Sequence, residues 1–287
     1  MPLAVYLLAQ RPARRDVGVA AVLVVAAWVT LAGPGDPFGA LELAWLALLA
    51  GALTVVMSMR PGRPFVPAAL STLALAAAGA VILMWVTSLT WGEVAWRVSR
   101  HYGYQTRLLL GQMSAAAEAA GRGAGTLVDT LERTAETFIR LASAVFPALL
   151  LLQSLAALAL AWTLYQRLAR APLGETLGRL RTFRFDDNLI WGVVLALVAL
   201  LLPRLAGLAT LGGNLAVFFG GLYVLRGVAV ASAMAATAGL DGVLAVAGAT
   251  LVVVFLAPVA TMAALALGLT DTWVDWRRRL ERAPGPR

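Results

Sequence analysis

Long apolar stretches recur along the chain, separated by short clusters of arginine, proline and glycine. A helix rises 1.5 Å per residue, so about 20 apolar residues cross a hydrocarbon core about 30 Å thick. The first stretch, Val17 to Gly33, follows Arg11, Arg14 and Arg15 and stops at Gly33-Pro34-Gly35-Asp36-Pro37. It has the outline of a signal peptide and is read as a retained first span. The second, Phe38 to Met59, carries one acid, Glu42, and ends at Arg60-Pro61-Gly62-Arg63-Pro64. The third runs uncharged from Phe65 to Thr90, and the fourth from Leu141 to Gln166. The fifth starts near Leu189 and passes Pro203-Arg204, and the sixth, Asn214 to Thr237, carries Arg226. The seventh, Gly242 to Leu269, contains Pro258, which allows a broken helix.

Between the third and fourth stretches the pattern changes. Residues 93–140 hold six arginines and five acids. Leu127, Leu131, Thr134 and Phe138 fall on one helix face. Asp129 with Arg133 and Glu136 with Arg140 are favourable i,i+4 pairs, and Thr126 with Asp129 resembles a capping box. An amphipathic helix is expected there, broken by Gly121, Gly123 and Gly125 from an alanine-rich helical piece before it.

The pattern predicts an all-α polytopic transmembrane bundle of about seven spans with an extracytoplasmic amphipathic helical segment. Its organisation reads as a cytoplasmic N-terminal segment (1–16), three spans (17–92), the amphipathic segment (93–140), four spans (141–269) and a charged tail (270–287). Composition agrees. Apolar residues make up 61% and charged residues 13%, against about 25% charged in a soluble domain. A disordered chain is excluded, and lipid is the expected surroundings.

The 23 basic residues are all arginine, and the net charge is +8. They lie between apolar runs, as topology in a membrane requires, so no nucleic-acid partner is expected. The positive-inside rule puts the N-terminus, Arg60–Arg63 and Arg167–Arg184 in the cytoplasm of a bacterial inner membrane, with the Asp36 loop and 93–140 outside. Seven crossings then leave the tail outside, although its five arginines belong inside. Either one stretch is not a simple crossing or the tail breaks the rule.

The chain has no cysteine and one histidine, His101. Disulfides, iron–sulfur clusters and thiol nucleophiles are excluded, and a transition metal would find only carboxylates. No metal and no cofactor are expected. Gly33-Pro34-Gly35-Asp36 matches the Gly-x-Gly-Asp pattern of intramembrane aspartyl proteases, but Asp36 sits in a turn and no span offers it a partner aspartate. Asp186-Asp187 reads as a helix N-cap for the fifth span, and His101 as an interfacial residue. No P-loop, nucleophile elbow or zinc-protease motif occurs. The chain is not expected to be an enzyme.

Arg226 is the most informative charge. An arginine near the centre of a span costs about 2.5–3.5 kcal/mol on insertion scales, so a carboxylate, backbone carbonyls or a wet cavity must offset it. Tyr223 lies one turn earlier on the same side. One reading makes Arg226, with Tyr223 and Glu42, the lining of a ligand cavity for an anion; the other makes Arg226 a structural ion pair. Arg204 is expected to snorkel to the surface. Asp271, Trp273, Asp275, Trp276 and Arg277 form a charged, aromatic cluster suited to the membrane surface or to docking another protein.

Three segments of the last 110 or so residues resemble the YybS-like family of bacterial multi-pass membrane proteins, defined by a domain of unknown function. They are Phe183-Arg184-Phe185 with Leu189-Ile190-Trp191; Asn214-Leu215 with Leu225-Arg226-Gly227-Val228-Ala229; and Gly268-Leu269-Thr270-Asp271 with Trp273, Asp275 and Arg277. The chain departs from that pattern at Asp187, where proline is usual, and at Arg226, where glutamine is expected. The N-terminal half is similar in layout only. The resemblance implies an integral membrane protein, distantly similar to the substrate-capturing subunits of energy-coupling-factor transporters. Solute binding or transport without an ATPase of its own would follow, with an ATPase-coupled membrane partner. A non-catalytic scaffold or assembly subunit is the competing class. An intramembrane enzyme would need convergent polar groups, and Arg226, Glu42 and Gln153 offer no nucleophile or base.

Overall fold

The computed structural model describes Pro2 and residues 37–60, 62–119, 125–169, 172, 174–239, 243–276 and 278–279. The expected span at 17–33, the glycines Gly121 and Gly123, the side chains of Thr126 and Asp129, and Arg277 lie outside the described residues. Every regular element described is helical, and two compact units divide the chain, Met1–Thr176 and Leu177–Arg287.

In the first unit, α1 (Pro37–Met59) opens on a proline, whose missing N–H costs nothing in a first turn. It ends before Gly62, which takes a positive φ of 79°. Helix α2 (Phe65–Val86) packs back on it. Helix α3 (Trp91–Ala119) begins with a capping box at Thr90 and Glu93. The Thr90 N–H donates to Glu93 Oε2 at 2.8 Å, and the Glu93 N–H donates to Thr90 Oγ1 at 3.3 Å. Val94 and Val98 anchor the first turns of α3 against Leu41, Met84 and Phe146. Beyond them α3 is largely exposed, and α4 (Gly125–Ala144) folds back along it. Helix α5 (Phe146–Leu168) returns to the apolar layer. Its Ser154 hydroxyl accepts from Trp45 Nε1 of α1 at 2.9 Å, and Trp162 is fully buried against Phe65.

The second unit is built on α7 (Ala209–Thr237), a 29-residue helix about 43 Å long. A short 3₁₀ turn (Leu180–Thr182) packs on it, and a second (Asp187–Leu189) leads into α6 (Ile190–Leu201). Asp186 caps that second turn, its Oδ1 accepting the Asn188 N–H at 2.9 Å. The stretch expected to cross the membrane from Leu189 onward therefore holds a helix of only 12 residues, about 18 Å, and then a 3₁₀ segment, Pro203–Leu208. Pro203 supplies the physical reason: its ring cannot continue the ladder of α6. Gly192 lies against Phe219, and Gly212 lies against Ala196 and Ala199. Thus α6 runs antiparallel along the first half of α7 and starts level with the middle of it.

Helix α8 (Val243–Val274) packs on the second half of α7. It kinks at Leu256, two residues before Pro258, as the missing N–H and the ring clash of that proline require. The crossing of α7 and α8 is a contact of backbone on backbone. A Cβ on Gly227 would overlap the Ala264 carbonyl, and one on Gly268 would overlap the Tyr223 carbonyl. Small residues at such crossings let helices approach where no hydrophobic effect drives them together. Helix α8 ends at Asp275, which turns left-handed with φ 48°.

Five of these helices (α1, α2, α5, α7 and the part of α8 after the kink) are long and apolar enough to cross a membrane. The protein is accordingly a polytopic helical membrane protein.

Two predictions follow from the packing and the cap. Gly268→Leu is expected to separate α7 from α8 and to yield aggregated protein on size exclusion in detergent. Gly220→Ala, where a Cβ meets nothing within 4 Å, should leave the elution unchanged and hold or raise the thermal midpoint. The Glu93 carboxylate is held below its ordinary value of 4.5, first by the Thr90 N–H and then by the Thr90 hydroxyl. The cap is therefore complete above pH 4.5 and is lost as pH falls through the lowered value. Amide protection at 91–94, corrected for intrinsic exchange, should drop over that range in the wild type and stay flat in Glu93→Gln.

Candidate functional site

Arg226 stands in the middle third of α7 and is 0% exposed, and two aspartates from other elements meet it. Its Nε–H donates to Asp271 Oδ2 at 2.9 Å, and its Nη1–H donates to Asp187 Oδ1 at 2.7 Å. Asp271 comes from the last turn of α8, one turn past Gly268, so the glycine crossing places it beside α7. Its second oxygen accepts the Trp276 N–H at 3.2 Å, a bond that the left-handed turn at Asp275 makes available. Asp187 comes from the strap that leads into α6. It reaches the level of Arg226 because α6 begins level with the middle of α7.

The network continues outward. Arg184 lies 3.5 Å from both Asp187 and Asp275, and Arg278 lies 3.1 Å from Asp275. Basic and acidic groups alternate from the exposed Arg278 to Asp271, which is 1% exposed. Phe185 lies across Arg226, its ring centroid 5.3 Å from Cζ, and meets the Tyr223 ring edge-on at 5.1 Å. These contacts combine a cation–π interaction with an aromatic pair on the buried face of α7.

Three buried polar atoms at this place have no hydrogen-bond partner among the described residues: Arg226 Nη2, Tyr223 Oη and Thr272 Oγ1. The Tyr223 and Thr272 hydroxyls lie close enough to interact with each other, but not with the alignment of a full hydrogen bond. A buried polar atom without a partner costs about 1–3 kcal/mol.

The residues singled out from sequence distribute as follows. Arg226 and Tyr223 share the buried face of α7. Glu42 is exposed on α1, in the other unit. Asp271 faces inward to Arg226, whereas Trp273 is 72% exposed and Asp275 and Trp276 flank the end of α8. Asp186 does cap, as expected, while Asp187 beside it pairs with Arg226. Sequence reading did not connect Asp187 and Asp271 to Arg226, nor single out Phe185 or Thr272. The partners lie 39 and 45 residues away, beyond any local periodicity. The available signal was that a buried arginine demands acids, and these two border neighbouring apolar stretches.

Arg226→Gln strands Asp271 without its partner and is expected to lose about 3–5 kcal/mol of stability, read by unfolding in detergent. Asp271→Asn should lose a similar amount. Asp187→Asn should lose about 1 kcal/mol, because its side chain is 44% exposed and water replaces part of the interaction. Equal losses at the two aspartates would contradict this division.

No curated protein and no solved structure matches the chain. One family model does, over residues 1–272, and so reaches well beyond the C-terminal segments that carry the resemblance. By that match the chain belongs to the family described as predicted membrane protein DUF2232.

Proposed function

We propose that this protein is a solute-binding subunit of the bacterial inner membrane, without catalytic activity or an ATPase of its own, and that its solute sits at Arg226. The observation that carries this reading is the trio of buried, unpartnered polar atoms at Arg226, Tyr223 and Thr272. Among apolar helices such atoms are costly, and an occupant that pairs with them removes the cost. The YybS-like resemblance supports the solute-binding class, and two of its segments supply Phe185 and Asp271, which meet Arg226 here.

The strap and α6 form a re-entrant unit, since irregular backbone at membrane depth is tolerated where it is packed against protein. Charge makes the side that carries Arg167–Arg184 cytoplasmic. An ATPase-coupled membrane partner would dock there.

One observation favours the scaffold reading instead. The hairpin of α3 and α4 encloses an open groove of about 660 Å³ with Arg100, Arg107, Glu132, Glu136 and Arg140 along it, a surface suited to a protein partner. Purification from native membranes in mild detergent, with mass spectrometry of proteins and small molecules, separates the two. Recovery of an ATPase, its coupling subunit and a bound small molecule is expected. Recovery of neither ATPase nor small molecule would overturn the solute reading, and membrane proteins held through 93–140 would establish the scaffold.

A further inference from the structure

The chemistry of the orphaned atoms narrows what the site can hold, given the reading of it as a solute site. Arg226 Nη2 offers two N–H donors, and the Tyr223 and Thr272 hydroxyls each donate and accept. The charge of the site is already set. Asp187, Asp271 and Asp275 face Arg226, Arg184 and Arg278, so the network carries three charges of each sign. A carboxylate or phosphate entering would upset that balance in surroundings where repulsion is poorly screened. An ammonium would meet the edge of the guanidinium that carries the free donors. A neutral group with an acceptor oxygen avoids both conflicts. Phe185, itself 6% exposed, closes one side with an apolar ring and can take the carbon part of such a molecule.

We propose that the site takes an uncharged solute that presents a carbonyl or amide oxygen to Arg226 Nη2 and to the Tyr223 and Thr272 hydroxyls. This differs from the anion that a lone intramembrane arginine suggests, because the aspartates already neutralise the arginine. A buried water needs only two to four polar partners and is the competing occupant.

The test is thermal unfolding of the full chain in mild detergent against matched probes: acetamide and acetate, isobutyramide and isobutyrate, benzamide and benzoate, with benzylammonium as the cation. At least one amide is expected to raise the midpoint at concentrations where its carboxylate does not. The double variant Tyr223→Phe, Thr272→Val should keep or raise its own midpoint and lose that response. Asp187→Asn, which removes one charge but keeps an acceptor for Nη1, should narrow the preference for amide over carboxylate on the order of tenfold. Preference for a carboxylate or for benzylammonium overturns the uncharged assignment and leaves solute binding standing. No response to any probe overturns the assignment in favour of water, and solute binding falls with it only if protein from native membranes also carries no small molecule.

Discussion

A guanidinium with no exposure to solvent, held in the middle of an apolar helix, is the constraint around which the second unit is arranged. It must be neutralised from elements other than its own helix, and each neighbouring element is shaped by that demand. Helix α8 brings Asp271 because Gly227 and Gly268 let two backbones touch where larger side chains would hold them apart. Helix α6 is short and runs back along α7, so the strap before it reaches Arg226 with Asp187 and Phe185. A full-length α6 would carry its own N-terminus, and Asp187 with it, toward the far end of α7. The two glycines, the short helix and the two aspartates therefore form one solution to one electrostatic problem.

The helical class and most apolar helices were legible in the sequence, because length and absence of charge are local properties. Helices α1, α2, α5, α7 and the later part of α8 all overlap stretches found that way, although α7 begins five residues before its stretch and α8 runs past Leu269 to Val274. The exception is the stretch after Leu189, where composition is as apolar as elsewhere but Pro203 stops the helix after 12 residues. Apolarity indicated burial there, and only the position of the proline and the packing of α6 on α7 told a crossing from a partial one. The site was half legible. The cost of an intramembrane arginine marked Arg226, and helix periodicity added Tyr223. Asp187 and Asp271 each had a plausible local role, as a cap and as part of a surface cluster, and that local sufficiency hid their common partner.

Asp187 and Arg226 are the two ends of a 2.7 Å ion pair between the strap and α7. Either residue alone would be a burden: an arginine short of a carboxylate, or an aspartate at the start of α6 with no cation within α7. Together they tie the strap to the helix. Each is better tolerated with the other than alone, since each group supplies the charge the other needs.

A purely structural role for this cluster explains the ion pairs but not what surrounds them. If the task were only to lock three elements together, phenylalanine at 223 would keep the edge-on contact with Phe185, and valine at 272 would keep the shape. Both would avoid burying a hydroxyl without a partner. The guanidinium likewise spends two of its three nitrogens on carboxylates, and the third has no hydrogen-bond partner among the described residues. Three unmet polar atoms on neighbouring turns of two touching helices are hard to reconcile with a fold refined for stability alone. The proposed solute would supply the coordination that the chain leaves unmet.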